Sequence, residues 1–168
     1  MTENTSDSSL QSRRETVHEI IGRASIAMLT TRTASGSLHA RPLAIVTRDS
    51  EPSALYFFTG HPSEKTDELA AFPLVNVSIS ESKGYLSLTG SASVTRDAAL
   101  IDELWNPGAE AWFEGGKIDP SVALIRVDLA AAEYWDTDKP AIAKAVEFVR
   151  GLTSDHEPDM GEHGTVTL

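Results

Sequence analysis

The stretch from Ala40 to Lys65, ARPLAIVTRDSEPSALYFFTGHPSEK, decides the fold. Two apolar runs, Leu38–Thr47 and Ala54–Thr59, flank the polar segment RDSEPS, whose residues are typical of turns. Both runs are rich in β-branched or aromatic residues, which favour strands. The second run ends at GHP, and good helix formers follow from Ser63. The stretch therefore predicts two strands joined by a turn and followed directly by a helix.

The junction between the second strand and this helix combines groups that bind anions. The first turn of a helix has free N–H groups, Thr59 and Ser63 add hydroxyl donors, and Lys65 adds a positive charge. The guanidinium of Arg41 fits a phosphate with two parallel hydrogen bonds. Pro42 cannot donate to a strand ladder, so we expect its strand to lie at an edge or to be bulged there. A ligand could approach the backbone at such a place.

Ordinary structural roles remain open for the same residues. Arg41 could cover apolar surface with its stem, and Lys65 could be a solvated helix lysine. His61 is interpreted as a loop residue rather than a general acid or base, since no partner lies at a recognisable spacing. No catalytic residue is identified. The five histidines form no pair with ligand spacing, so the sequence predicts no metal site.

The same stretch resembles the pyridoxamine 5′-phosphate oxidase-like family of flavin-binding split β-barrels, and most closely its general-stress-protein branch. In that family a strand like Arg41–Val46 runs along flavin mononucleotide (FMN). Segments like Phe58-Thr59 and Ser63-Glu64-Lys65 hold the phosphate, but Glu64 stands where the oxidases have arginine. The cofactor-binding residues implied by the resemblance are Arg41, Pro42, Leu43, Ala44, Phe58, Thr59, Ser63, Lys65, Trp105 and Trp112.

The two tryptophans in that set belong to a downstream pattern of the same branch. A helix ends in Leu-Trp at Trp105, Trp-Phe-x-x-Gly follows at Trp112, and Glu-Tyr-Trp-Asp follows at Glu133–Asp136. The resemblance implies a homodimer with the flavin at the subunit interface, near Trp105 and Trp112. Trp135 is expected to pack in the core or at an interface.

The remaining chain predicts a mainly β domain with flanking helices. Six strands joined mostly by hairpins favour an antiparallel barrel, and the resemblance implies a six-stranded split barrel of the FMN-binding type. We expect this domain to span residues 13–150, between a flexible tail over 1–12 and an acidic flexible tail over 151–168. Further predicted elements are a helix over Ser12–Arg23, a loop over Asn106–Asp119, strands over Val122–Asp128 and Glu133–Asp136, and a helix over Pro140–Arg150. Gly90 predicts a bend or bulge inside its strand.

Composition narrows the class of protein. The net charge is −11, which gives no electrostatic footprint for nucleic acid or an anionic membrane. No run is long enough to span a bilayer, and the chain has no cysteine. These features predict a cytoplasmic protein without disulfides or thiol chemistry.

The resulting functional hypothesis is an FMN-binding, flavin-dependent oxidoreductase with a general-stress connection. A flavin carries its own reactive centre, so no protein acid or base is required. Genuine pyridoxamine 5′-phosphate oxidase activity is not expected, because those enzymes have an arginine-containing C-terminal segment and this chain has no arginine after Arg150. The alternatives are a non-catalytic flavin carrier or stress-linked binding protein, a deazaflavin-dependent reductase on the same fold, and an interaction module with an empty pocket. The alternative cofactors to FMN are a deazaflavin and FAD.

Overall fold

The computed structural model describes residues 3–82, 84–136 and 163–168. The strands are β1 Ile26–Arg32, β2 Leu38–Ala44, β3 Ala54–Gly60, β4 Leu74–Glu81, β5 Gly84–Thr95, β6 Val122–Asp136 and β7 His163–Thr167. The helices are α1 Glu3–Arg23, α2 Glu64–Ala71, α3 Ala98–Leu104 and α4 Pro107–Trp112, with a 3-10 turn at Gly116–Ile118. None of the described helices is long and apolar enough to cross a membrane.

The strands form one antiparallel sheet that curls into a split barrel. The strand order is β2-β1-β4-β5-β6-β3, and β7 pairs with β6 beside this path. The long strand β6 pairs with β5 along one edge, and along its other edge its first half pairs with β3 and its second half with β7. A single bridge between Val46 and Tyr56 links the two ends of the order, so the barrel is incompletely closed. The predicted mainly β split barrel with flanking helices is confirmed, with seven described strands where six were predicted.

Alternating apolar residues build the core. In β1 and β5 every second side chain is buried, as expected for strands with one face on the core. Leu29, Val77 and Leu88 have no exposed surface and meet Val17 of α1 in one cluster. Full burial of each such side chain contributes roughly 1.5–3 kcal/mol to stability. Helix α1 therefore closes the apolar interior of the barrel.

Two sequence predictions about backbone irregularity are confirmed. The register between β5 and β6 shifts between Thr89 and Gly90, which marks the predicted bulge. A Cβ atom on Gly90 would lie 2.5 Å from the carbonyl oxygen of Asp128, so only glycine fits this close approach. In the described sheet Pro42 lies on an edge strand, because β2 is the first strand of the order and pairs with β1 alone along its length.

Several element bounds differ from the sequence prediction. Helix α1 begins at Glu3, inside the segment 1–12 that was predicted to be a flexible tail, and β7 lies inside the predicted acidic tail over 151–168. The predicted loop Asn106–Asp119 contains α4 and the 3-10 turn, and the two predicted last strands are the single strand β6. The predicted helix over 140–150 lies outside the described residues.

Candidate functional site

A cavity of about 620 Å³ lies between β2, the end of β3 and α4. This volume is within the range of roughly 300–1,000 Å³ found for small-molecule sites. The lining is mostly apolar, with two cationic side chains. The lining residues are Ile26, Arg41, Pro42, Leu43, Ala44, Val46, Phe58, Thr59, Gly60, Lys65, Asn106, Gly108, Ala109, Trp112 and Phe113.

The cavity brings together eight of the ten residues implied by the resemblance. These are Arg41, Pro42, Leu43, Ala44, Phe58, Thr59, Lys65 and Trp112. Ser63 and Trp105 do not line it. The hydroxyl of Ser63 caps α2 by accepting a hydrogen bond from the Thr66 backbone N–H, at 3.4 Å. Trp105 lies behind Phe58, with the two rings in an edge-to-face arrangement at 5.3 Å.

Helix α4 carries the aromatic side of the cavity. Asn106 caps it by accepting a hydrogen bond from the Ala109 backbone N–H at 3.0 Å, and Pro107 occupies the first turn. Phe113 follows the helix and lies 6.5 Å from Phe58, ring centre to ring centre. Trp112 at the end of α4 is 84% exposed. An exposed indole beside a cavity is available for stacking on a flat ligand.

Arg41 is held in place on the opposite side of the cavity. Its Nη1 donates to the Thr31 hydroxyl at 2.7 Å, and its Nη2 donates to Glu68 Oε2 at 3.0 Å. The Thr31 hydroxyl in turn donates to the same Glu68 oxygen at 2.6 Å. A guanidinium has five N–H donors, so these bonds leave donors for a ligand. Burial opposes ionisation of Glu68, but the hydrogen bonds from Thr31 and Arg41 outweigh it and lower the pKa of its carboxyl.

The carboxylate of Glu68 is only partly satisfied. Its side chain is 6% exposed, and its second oxygen, Oε1, is buried without a hydrogen-bond partner in the described part of the chain. The ring nitrogen Nδ1 of His39 lies 3.4 Å from Oε1, which is within ion-pair distance for a protonated imidazole but does not form a hydrogen bond. A buried oxygen with a free lone pair normally has a partner. This network of Thr31, Arg41 and Glu68 is called the Glu68 network below.

Lys65 supplies the second positive charge of the cavity. Burial, together with the positive charge of Arg41, lowers the pKa of its ammonium. Lys65 makes no ion pair with the carboxylates of residues 3–82, 84–136 and 163–168. Two cations that repel each other beside an apolar cavity favour an anionic ligand group, because such a group would offset both charges.

A second arginine–glutamate network joins the turn before β3 to β3 and β6. Glu51 Oε1 accepts from Arg48 Nη1 at 2.9 Å, and Glu51 Oε2 accepts from Arg126 Nη1 at 2.7 Å. The hydroxyl of the buried Tyr56 also donates to Glu51 Oε2. That bond, with the charges of Arg126 and Arg48, lowers the pKa of the Glu51 carboxyl against the opposing effect of burial. This group is called the Glu51 network below.

A shallow groove of about 580 Å³ runs along the outer face of the sheet. Its exposed apolar side chains include Ile26, Met28, Tyr85 and Trp135. Trp135 is 38% exposed and stacks on His163 of β7 at 5.1 Å, so it does not lie in the core. Ile26 also lines the cavity, which makes the two depressions neighbours.

Sequence reasoning missed several residues of the site. The Asn-Pro pair at 106–107 is a readable helix start, and it would have placed α4 and its lining residues. Phe113 was grouped with Trp112 but not assigned to the cavity. Glu68 has no local signal, since its partners Thr31 and Arg41 lie 37 and 27 residues away.

Comparison with known proteins identifies relatives of this chain. The chain is 32% identical over 137 residues to protein bli-3 of Neurospora crassa, a match that covers 75% of this chain and 66% of bli-3. It is 28% identical over 79 residues to general stress protein 26 of Bacillus subtilis, covering 44% of this chain and 56% of that protein. The matches thus span less than two thirds of each relative.

The fold is shared with a solved structure of the same group. The crystal structure of the general stress FMN/FAD binding protein from Xanthomonas citri is 28% identical, has a TM-score of 0.69, and matches over 77% of this chain and 92% of that one. The family model described as "Pyridoxamine 5'-phosphate oxidase like" matches residues 12–159 of this chain. The chain therefore belongs to the pyridoxamine 5′-phosphate oxidase-like family, with general stress protein 26 among its relatives.

Proposed function

We propose that this protein binds a flavin, with FMN as the preferred form, in the cavity between β2, β3 and α4. The observation that carries this proposal is the division of the cavity into an aromatic side and a cationic side. Phe58, Trp112 and Phe113 offer flat apolar surface, and Arg41 and Lys65 offer positive charge. A flavin phosphate ester has the same division, with a flat ring system and a terminal anion.

The edge position of β2 supports this assignment. Its residues Pro42, Leu43 and Ala44 line the cavity, and Pro42 contributes no ladder N–H. The polar edge of a flavin ring can therefore approach peptide groups of this strand. The Xanthomonas citri relative, which shares the fold, is an FMN/FAD binding protein by name.

The chemistry expected of this protein is oxidation–reduction. A bound flavin supplies the redox centre, and the protein supplies binding, orientation and electrostatics. Among the side chains that line the cavity, Arg41 and Lys65 are the positively charged groups that can hold an anion. We accordingly propose a flavin-dependent oxidoreductase in which these residues bind the anion.

We also infer that two copies pair across the exposed side of the cavity. Trp112 is 84% exposed, and Ile26 is 52% exposed between the cavity and the neighbouring groove. A second copy that covers these side chains would remove apolar surface from water and enclose the ligand. Sedimentation velocity at micromolar concentration tests the pairing, with Trp112→Ala expected to shift the protein toward monomer. A parent that sediments as a monomer with flavin bound would overturn it.

Titration of the flavin-free protein with FMN tests the binding proposal. Arg41→Ala and Lys65→Ala should each weaken FMN binding about 10- to 100-fold, since a charge-assisted hydrogen bond contributes roughly 1.5–3 kcal/mol. Arg96→Ala is the matched control, because Arg96 is exposed and lies away from the cavity lining. Riboflavin, which lacks the phosphate, should bind the parent and both variants with similar affinity.

Two results would contradict the proposal. Failure of the parent to bind either flavin would leave the cavity without this ligand. Binding of FMN to both variants as tightly as to the parent would place the phosphate elsewhere. Turnover is measured separately, by following the loss of flavin absorbance on addition of NADH or NADPH.

A further inference from the structure

Three metal-ligating side chains converge beside the cavity. His39 of β2 and Glu64 and Glu68 of α2 each place a donor atom within 4.8 Å of the other two. Glu64 and Glu68 are four residues apart, so they share one face of the helix. The strand and the helix are distant in sequence, which is why histidine spacing alone predicted no metal site.

The buried carboxylate of Glu68 is the second observation. Its Oε2 accepts hydrogen bonds from Thr31 and Arg41, but its buried Oε1 accepts none. The side chain is 6% exposed, so water does not readily reach that oxygen. His39 Nδ1 lies 3.4 Å from this oxygen, and a carboxylate oxygen of Glu64 lies within 4.8 Å of donor atoms of both residues. A missing partner at this point would have to be a cation or a proton donor.

We propose that His39, Glu64 and Glu68 bind a divalent transition-metal ion of the zinc class. One imidazole nitrogen and two carboxylate oxygens are suitable ligands for Zn²⁺, and they leave a fourth position open for water or a ligand atom. His39 and Glu64 are exposed, so their side chains can close around an ion at the usual distances of about 2.0–2.2 Å. Glu68 is the fixed ligand, because Thr31 and Arg41 hold it.

The ligand types, and not the surrounding charge, set the selectivity of this site. Arg41 donates to Glu68 Oε2 and offsets part of the negative charge, which affects all divalent cations alike. A magnesium ion depends on carboxylates and water and gains nothing special from an imidazole, whereas a zinc-class ion does. The proposal does not depend on flavin binding, since neither Glu64, Glu68 nor His39 lines the cavity.

Isothermal titration of the purified protein with ZnCl₂ tests the site, and MgCl₂ is the comparison. We expect saturable uptake of one Zn²⁺ per chain at this site and at least about tenfold weaker binding in both His39→Gln and Glu64→Gln. Both residues are exposed, so neither change should prevent folding. Asp67→Asn is the matched control, because Asp67 is an exposed carboxylate on the same helix outside the cluster.

Titration with CoCl₂ gives a second readout that does not depend on affinity alone. Bound Co²⁺ should give a visible d–d spectrum in the parent, and that spectrum should be lost in His39→Gln but kept in Asp67→Asn. The proposal is overturned if the parent takes up no Zn²⁺. It is equally overturned if both variants bind Zn²⁺ like the parent, since the uptake would then occur at other histidines or acidic residues.

Discussion

The two glutamate networks use the same kinds of groups, but only in the Glu51 network do both carboxylate oxygens have hydrogen-bond partners. In the Glu51 network both carboxylate oxygens have partners, two arginines and the hydroxyl of Tyr56. In the Glu68 network one oxygen takes both hydrogen bonds and the other takes none. The Glu51 network joins β3 and β6 to the turn that precedes β3. The Glu68 network lies beside the cavity and leaves one buried carboxylate oxygen without a hydrogen-bond partner among the described residues.

Removal of the Glu68 carboxylate should have the largest effect on stability. Glu68→Ala leaves Arg41 without its buried anion and Thr31 without its acceptor, so we expect a loss of roughly 2–4 kcal/mol in the free energy of unfolding. Urea denaturation measures it. Asp67→Ala, an exposed neighbour on the same helix, should change stability by less than about 0.5 kcal/mol. Equal effects of the two changes would mean that the Glu68 network does not stabilise the fold.

Loss of the Tyr56 hydroxyl should have a smaller effect within the Glu51 network. Tyr56→Phe keeps the buried ring and removes one donor to Glu51, and Arg126 still satisfies that oxygen. We expect a loss of about 1–2 kcal/mol in urea denaturation. Tyr85→Phe, at a half-exposed tyrosine, is the control and should be nearly neutral. A neutral Tyr56→Phe would show that the two arginines alone complete the network.

Lowering the pH should reduce the free energy of unfolding of the parent more than that of Glu51→Gln. The Tyr56 hydrogen bond and the charges of Arg126 and Arg48 hold the pKa of Glu51 below its ordinary value of 4.5. The ionised carboxylate therefore stabilises the fold above pH 4.5, and this contribution is lost as the pH falls through the lowered pKa. The free energy of unfolding, measured from pH 7 down to acid, should fall more steeply for the parent than for Glu51→Gln.

The comparison also controls for other acidic groups. Glu68 has a lowered pKa as well, but it is present in both proteins and cancels in their difference. Parallel pH profiles for the parent and Glu51→Gln would contradict the assigned role of Glu51. The variant should lie below the parent near pH 7 and approach it in acid.

The smallest change in stability is expected for a substitution at the exposed end of the Glu51 network. Arg48 also makes a two-pronged ion pair with Glu103 of α3, at 2.7 and 2.8 Å. The Glu103 side chain is 48% exposed, so solvent screens this pair. Glu103→Gln should shift the urea midpoint less than Tyr56→Phe does, and added salt should remove the remaining difference. A larger shift than that of Tyr56→Phe would mean that the pair anchors α3 to the barrel.

The strands and the cavity wall could be predicted from sequence because their signals are local. Each signal depends only on residues that are close together in the chain. These signals are the alternation around Val77, the turn residues before Ala54 and the proline at position 42. The bulge at Gly90 was likewise predictable, because a lone glycine in a strand marks a close backbone approach. Motif resemblance then connected β2, the end of β3 and α2 into one site.

The remaining features depend on contacts between distant parts of the chain. The strand β7 has only five residues in a polar surrounding, and it forms because β6 offers it a free edge. Similarly, Arg13 and Arg14 of α1 donate to backbone carbonyls of β7, a contact invisible in the polar N-terminal sequence. Glu68 looked like an ordinary helix former. Its importance arises only when Thr31 and Arg41 meet it in three dimensions.

The separate surroundings of the three tryptophans give the protein a built-in set of optical reporters. Trp112 is almost fully hydrated at the cavity, Trp105 lies against Phe58, and Trp135 stacks on His163. Variants that retain a single tryptophan would assign each emission signal to one place. Trp112 would report ligand entry, Trp105 the packing behind the cavity, and Trp135 the attachment of β7. Fluorescence can thus follow binding and local unfolding in one sample, without a chemical label.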